Sequence, residues 1–185
     1  MKKIIFAVFA ALICIAGSSP AFSQDMTMVG GEQMYMSKDI VDNAVNSKDH
    51  TTLVAAVKAA GLVEVLKGKG PFTVFAPTNS AFLLLPSGTV ETLLKTENKD
   101  MLSKILTYHV VSGKYTSDKI MKMIHKDGGK TMLPTVAGGM LTFMMNGKKN
   151  ITVMDEKGNT ANISVYDVMQ SNGVIQVIDK VLMPM

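Results

Sequence analysis

The stretch Thr73 to Phe82, T-V-F-A-P-T-N-S-A-F, constrains the fold more than any other part of this chain. Its apolar start, carrying Thr73 and Phe75, reads as a buried strand. Pro77 stops the strand, because proline fixes φ and has no N–H to donate. Thr78 then offers a hydroxyl that can accept from an orphan amide one turn on, so it is the expected N-cap of a helix. Asn79 is suited to tying a loop to backbone, and Phe82, at the fourth helical position, can fold back on the strand end. A second stretch answers the first: Asn172 to Pro184, N-G-V-I-Q-V-I-D-K-V-L-M-P. Gly173 punctuates a turn that feeds Val174 to Ile178, a strand apolar on both faces. Such a strand has to lie in the middle of a sheet.

In that order, the two stretches resemble the two sequence boxes of the fasciclin domain family. Between them, Tyr108-His109 in I-L-T-Y-H-V-V looks like the family's tyrosine-histidine motif, and the resemblance runs from Ser37 to Met185. The resemblance implies a compact wedge of two antiparallel sheets packed at an angle, with helices over one side. It also implies a non-enzymatic adhesion module, similar to secreted bacterial members and to periostin-like matrix proteins, binding a surface or matrix protein or a glycan. Animal relatives string several such domains together, so a lone domain is expected to bind weakly unless it self-associates.

The first segment reads as a signal peptide over residues 1–23. Lys2 and Lys3 precede the apolar run Ile4 to Ala16, and Ala21-Phe22-Ser23 places small residues where a signal peptidase cuts. That run is short for a transmembrane span, and no later stretch is long enough. Export to the periplasm, the cell surface or the medium is therefore expected. The single cysteine, Cys14, follows Ile13 inside the apolar run rather than a small residue at its end, which argues against lipidation. Without it, neither a disulfide nor a zinc-thiolate site is available. Beyond the leader, 17 lysines face 15 acidic residues and arginine is absent. Nucleic-acid recognition normally clusters basic residues with arginine forks, so that class is excluded here.

Residues 24–36 hold Met26, Met28, Met34 and Met36 around a Gly30-Gly31 pair and read as a flexible arm. In an exported protein such thioethers can hold cuprous copper, which gives a second functional reading as a periplasmic copper-binding or oxidative-stress protein. The remaining methionines fall in periodic segments and read as core filler. From Ile40 to His125 the pattern is mostly helical. Asp49 is placed to cap the helix that Gly61 ends, and Ser117 or Asp118 to cap the last one. From Thr131 the period becomes strand-like, with turns at Gly138-Gly139, Asn146-Gly147 and Asp155 to Asn159. Helices first and an antiparallel meander second give an α+β domain over residues 37–185.

No G-x-S-x-G elbow accompanies a serine, and His50, His109 and His125 lack metal-ligand spacing, so no catalytic site and no cofactor is expected. Tyr108 and His109 carry two readings. By resemblance they contact a partner; as residues of a strand, they point to opposite faces and one enters the core. Gln176 stands where many family members have histidine, which weakens any shared histidine pair. Thr78, Asn79 and Asp167 read as caps and loop ties. Lys119, Lys122 and Lys126, followed by Lys130, form a basic stripe suited to an acidic glycan or an anionic surface.

Overall fold

The computed structural model describes residues 26–185. The expected leader and Cys14 lie outside the described residues. The chain begins with a hairpin, β1 (Met26–Val29) and β2 (Glu32–Tyr35), turning on Gly30 and Gly31, both in the left-handed region. This corrects the expected flexible arm. Register pairs Thr27 with Met34 and Val29 with Glu32 on one face, and that face packs on the body, burying Val29 and Met34. Hydrophobic burial of alternate residues, joined by a two-residue glycine turn, is enough to order the segment.

Next come α1 (Ile40–Ala44), α2 (Thr51–Ala60), α3 (Val63–Lys67), β3 (Phe72–Pro77), α4 (Asn79–Leu83), α5 (Thr89–Leu93) and α6 (Lys99–Tyr108). They are followed by β4 (Val110–Ser112) and α7 (Ser117–Lys126). The meander is β5 (Lys130–Pro134), β6 (Met140–Asn146), β7 (Asn150–Met154), β8 (Thr160–Gln170) and β9 (Gly173–Ile178).

The α+β class holds, but the sheet arrangement differs from the expected pair of antiparallel sheets. Seven strands form one sheet in the order β4-β3-β9-β8-β7-β6-β5, and β3 runs parallel to β9. The bend is made inside β8, whose first residues pair with β7 and whose remainder pairs with β9 across register shifts between Ile163 and Val168. The two ends then approach one another. Val111 bridges to Thr135, and the Val136 N–H donates to the Val110 carbonyl at 2.8 Å, so the sheet nearly closes into a barrel.

Two cores result. The hairpin and α1 to α6 cover one side of the sheet, meeting Val74, Ala76, Ile175 and Val177. The other side is the barrel interior, where Phe75, Phe143, Ile151 and Ile178 pack together and α7 plugs the opening with Ile120 and Ile124. Helices therefore lie on both sides: the earlier six where expected, and α7 opposite. β9 is buried along its whole length between β3 and β8, as its two-faced apolar sequence requires.

Candidate functional site

The stretch Thr73 to Phe82 proves to be an anchoring device. Thr78 is the N-cap of α4, its hydroxyl accepting from the Ala81 N–H at 3.3 Å. Asn79 reaches across to α2. Its Oδ1 accepts from the Thr52 N–H at 3.0 Å, and its Nδ2 donates to the Lys48 carbonyl at 2.8 Å. Asn79 thus caps the helix start for which Asp49 was expected. Thr73, also buried, ties the loop after β4, its hydroxyl donating to the Gly113 carbonyl at 2.6 Å and accepting from the Tyr115 N–H at 2.9 Å. Phe82 packs against the helical core.

At the second box, Gly173 sits where no side chain fits, since an added Cβ would lie 2.1 Å from the Phe72 carbonyl oxygen. Asn172 beside it accepts from the Ile40 N–H at 3.0 Å and donates to the Leu66 and Gly68 carbonyls at 2.8 and 3.0 Å. One side chain therefore fastens α1 and the end of α3 to the start of β9.

Tyr108 and His109 are both buried, which corrects the reading that they meet a partner. It also corrects their placement in a strand: Tyr108 ends α6 and His109 is its C-cap. The chain turn between helix and strand buries both rings, Tyr108 in the barrel core and His109 against the C-terminal tail, which simple strand alternation did not foresee. The Tyr108 hydroxyl donates to the Met140 carbonyl at 2.9 Å and accepts from the Glu156 N–H at 3.1 Å. Burial pushes its pKa up to about 12, so it stays a donor at any ordinary pH. His109 accepts the Leu182 N–H on Nε2 at 3.0 Å, which leaves Nδ1 as the donor to the Ile105 carbonyl at 2.8 Å. Burial lowers its pKa to about 4, against smaller upward pulls from the Ile105 carbonyl and Asp155, and the ring is neutral.

Asp167 and Gln176 form the support for α7. The Asp167 carboxylate accepts from the Ser117 N–H at 2.7 Å and from the Ser117 hydroxyl, while the Gln176 amide donates to it at 2.7 Å. The Asp167 N–H returns a bond to Gln176 Oε1 at 3.0 Å, and its φ of 54° turns the strand at the β8 bulge. Gln176 is fully buried and acts as an internal strut between β9 and the β8 bulge. Thr116, rather than Ser117 or Asp118, is the N-cap of α7.

The lysine stripe stands on that supported helix. Lys119, Lys122 and Lys126 are exposed along the face opposite Ile120 and Ile124, with Lys130 exposed just beyond. The Lys119 ammonium lies 4.2 Å from the centre of the Tyr115 ring and donates to the Lys114 carbonyl at 3.3 Å. Among the described residues the ion pairs involve only Lys48 and Lys67, so the stripe's charges are open to solvent. Asp118 and Asp127 border it, and the latter is engaged by the Thr131 hydroxyl at 2.6 Å.

The methionine set does not assemble. Met34 faces the core at 2 % exposure, while Met26 and Met28 lie on the opposite, solvent face of the hairpin with Met36 just beyond β2. One of the four thioethers is withdrawn from any shared copper site.

A feature that sequence reasoning missed is a cavity of about 100 Å³ between α1, α2, α3 and the sheet, with almost wholly apolar walls. Ile40, Leu53, Val57, Val74 and Ile175 line it, and His50 enters it from the start of α2. The helical stripe Leu53, Val54 and Val57 was legible as a core face, but nothing in its period says that the core is incompletely filled. Another missed group is Asp155, only 2 % exposed, whose carboxylate gathers the Asn159 and Met183 N–H groups at 2.8 and 3.0 Å.

Comparison with known proteins agrees with this geometry. The fasciclin domain model matches residues 48–184. The chain is 51 % identical over 145 residues to protein sll1483 of Synechocystis, covering 78 % of this chain and 73 % of that one. It is 36 % identical over 155 residues to the cell surface glycolipoprotein MPB83 of Mycobacterium bovis, covering 80 % of this chain and 62 % of the relative. Among solved structures, the domain pair of the insect cell adhesion molecule fasciclin I superposes with a TM-score of 0.70 at 20 % identity, over 79 % of this chain. That likeness is one of fold, and the chain spans 51 % of the solved domain pair.

Proposed function

Because the chain belongs to the fasciclin domain family, we propose that it is an exported, non-catalytic adhesion module that engages an acidic glycan or an acidic surface protein through the lysine face of α7. The observation that carries this reading is the stripe itself: three ammonium groups at helical spacing, unpaired by acids and held on a helix anchored at its start by Asp167. The buried tyrosine-histidine pair offers no comparable surface. Export rests on the charged and apolar leader, and a cell-surface setting on the printed description of the mycobacterial relative. No described helix is long and apolar enough to cross a membrane.

The test is chromatography on an immobilised sulfated polysaccharide. The parent is expected to be retained at low ionic strength and released near 1 M salt, where the screening length falls to about 3 Å. Lys119→Glu with Lys122→Glu and Lys126→Glu should flow through with an unchanged melting temperature. Equal retention of that variant, or retention insensitive to salt, would remove α7 from the interaction. A pull-down from the native envelope with the same pair of proteins then asks which partner depends on the stripe.

A further inference from the structure

Met121, Met123 and Met145 pack against the barrel core, as their periodic segments predict. Four other methionines do not. Leu133, Leu141, Phe143, Ile151 and Val153 are buried in the barrel, so strand alternation turns Met132, Met140, Met144 and Met154 to its outer face. Met132 is 55 % exposed, the other three are half-buried, and none of the four belongs to either hydrophobic core. Their neighbours on that face are Lys130, Thr142, Thr152 and Asn162, as suits strands with one side toward water. Core packing therefore does not account for four thioethers there.

Register gathers them around one residue. Thr142 lies opposite Met132 on β5 and opposite Met154 on β7, while Met140 and Met144 are its next same-face neighbours along β6. Both methionines of β6 are thus diagonal to Met132 and to Met154, about 7–8 Å apart between Cα atoms, a span that long side chains bridge. Charge then separates the two ends of the group. Met144 is paired with Lys130, whose exposed ammonium repels a cation, whereas the Met140 N–H donates to the Glu156 carboxylate at 3.0 Å and so has an anion beside it. We propose that Met140 and Met154, with Met132 beside them, form a binding site for monovalent copper, a soft cation that thioether sulfur selects. The site uses neither the lysines of α7 nor the methionines of the hairpin, so it goes beyond the adhesion reading and does not rest on it.

The test is NMR titration of the purified exported protein, isotope-labelled at its methionine methyls, with Cu(I) under anaerobic reducing conditions. The Met140 and Met154 methyl signals are expected to shift saturably, with a smaller shift at Met132. Zn(II), a harder cation, should leave all three in place. A thioether has no proton to displace, so the response should be the same at neutral and mildly acidic pH. Met140→Leu with Met154→Leu conserves volume outside both cores, and should keep the parent's melting temperature while losing the saturable shift at Met132. Shifts confined to Met26, Met28 and Met36 would place the copper on the hairpin and overturn the proposal. It is equally overturned by the absence of saturable shifts at Met140 and Met154, by equal shifts with Zn(II), or by an undiminished Met132 response in the variant. The parent's site-resolved shifts decide the outcome even if the variant does not fold.

Discussion

The backbone N–H of Leu182 donates to Nε2 of His109 across 3.0 Å, joining the C-terminal tail to the end of α6. A neighbouring bond runs from the Met183 N–H to the Asp155 carboxylate, also at 3.0 Å, and Leu182 itself is fully buried in the barrel core. The tail beyond β9 is thus strapped across the barrel by side chains rather than by a further strand, although Val181-Leu182 could have extended the sheet on pattern alone. The strap needs a neutral imidazole, because protonating Nε2 removes its acceptor.

The pH dependence of stability follows. The folded pKa of His109, about 4, lies below its ordinary value of 6.5, so the unfolded chain takes up the proton first as pH falls. Stability from this group is complete above pH 6.5 and is lost progressively down to about 4, to a total of roughly 3 kcal/mol. Urea unfolding at pH 7 and pH 4.5 should therefore show a larger loss of midpoint in the parent than in His109→Gln. Equal losses would mean that other groups carry the acid sensitivity.

Tyr108 gives the second expectation. Tyr108→Phe keeps the ring but leaves the Met140 carbonyl and the Glu156 N–H without their shared hydroxyl. Each is part-buried, and a loss of about 1–3 kcal/mol in chemical denaturation is expected. Retention on an acidic matrix should be unchanged, since no part of Tyr108 reaches the surface. A folded variant that loses retention would return the motif to the binding surface.

The sequence made some of this arrangement readable for physical reasons. A strand apolar on both faces has only one kind of place to go, and β9 occupies it. Pro77 and Thr78 act through local backbone chemistry, so their roles survive any tertiary context. Pairing direction was hidden, because alternation in β3 is the same whether its neighbour runs parallel or antiparallel. The hairpin was hidden by Gly30-Gly31, whose left-handed turn resembles a break unless the alternation of Thr27, Val29 and Met34 on either side is read with it. Asn79 and Asn172 act over more than twenty residues of chain, joining helices they do not belong to, and no local pattern announces such a partner.

Two glycines separate steric from conformational demand. At Gly173 an added methyl would meet the Phe72 carbonyl oxygen at 2.1 Å, between the parallel central strands. Gly173→Ala should cost more than about 3 kcal/mol or prevent folding, because backbone on both sides has to move. Gly147, with φ of 76° and open space around its Cβ position, should lose only about 1–2 kcal/mol as Gly147→Ala. Comparable urea midpoints for the two variants would show that β3 and β9 can separate at little cost.

Asp167 sets the position of the lysine face. Its carboxylate holds the first N–H of α7 from a bulge in β8, and the partial positive charge of the helix start adds to the bond. Asp167→Ala removes that support and also places alanine at a φ of 54°, where aspartate is better tolerated. The variant should be about 1–3 kcal/mol less stable, with faster amide exchange at Lys119 and Ile120 than at Ile175. Asp167→Asn keeps an acceptor oxygen and the backbone tolerance, so it should recover most of the protection at α7. If Ala and Asn variants exchange alike, the helix is held by Ile120 and Ile124 in the barrel core, and the capping bond contributes little to presenting the lysines.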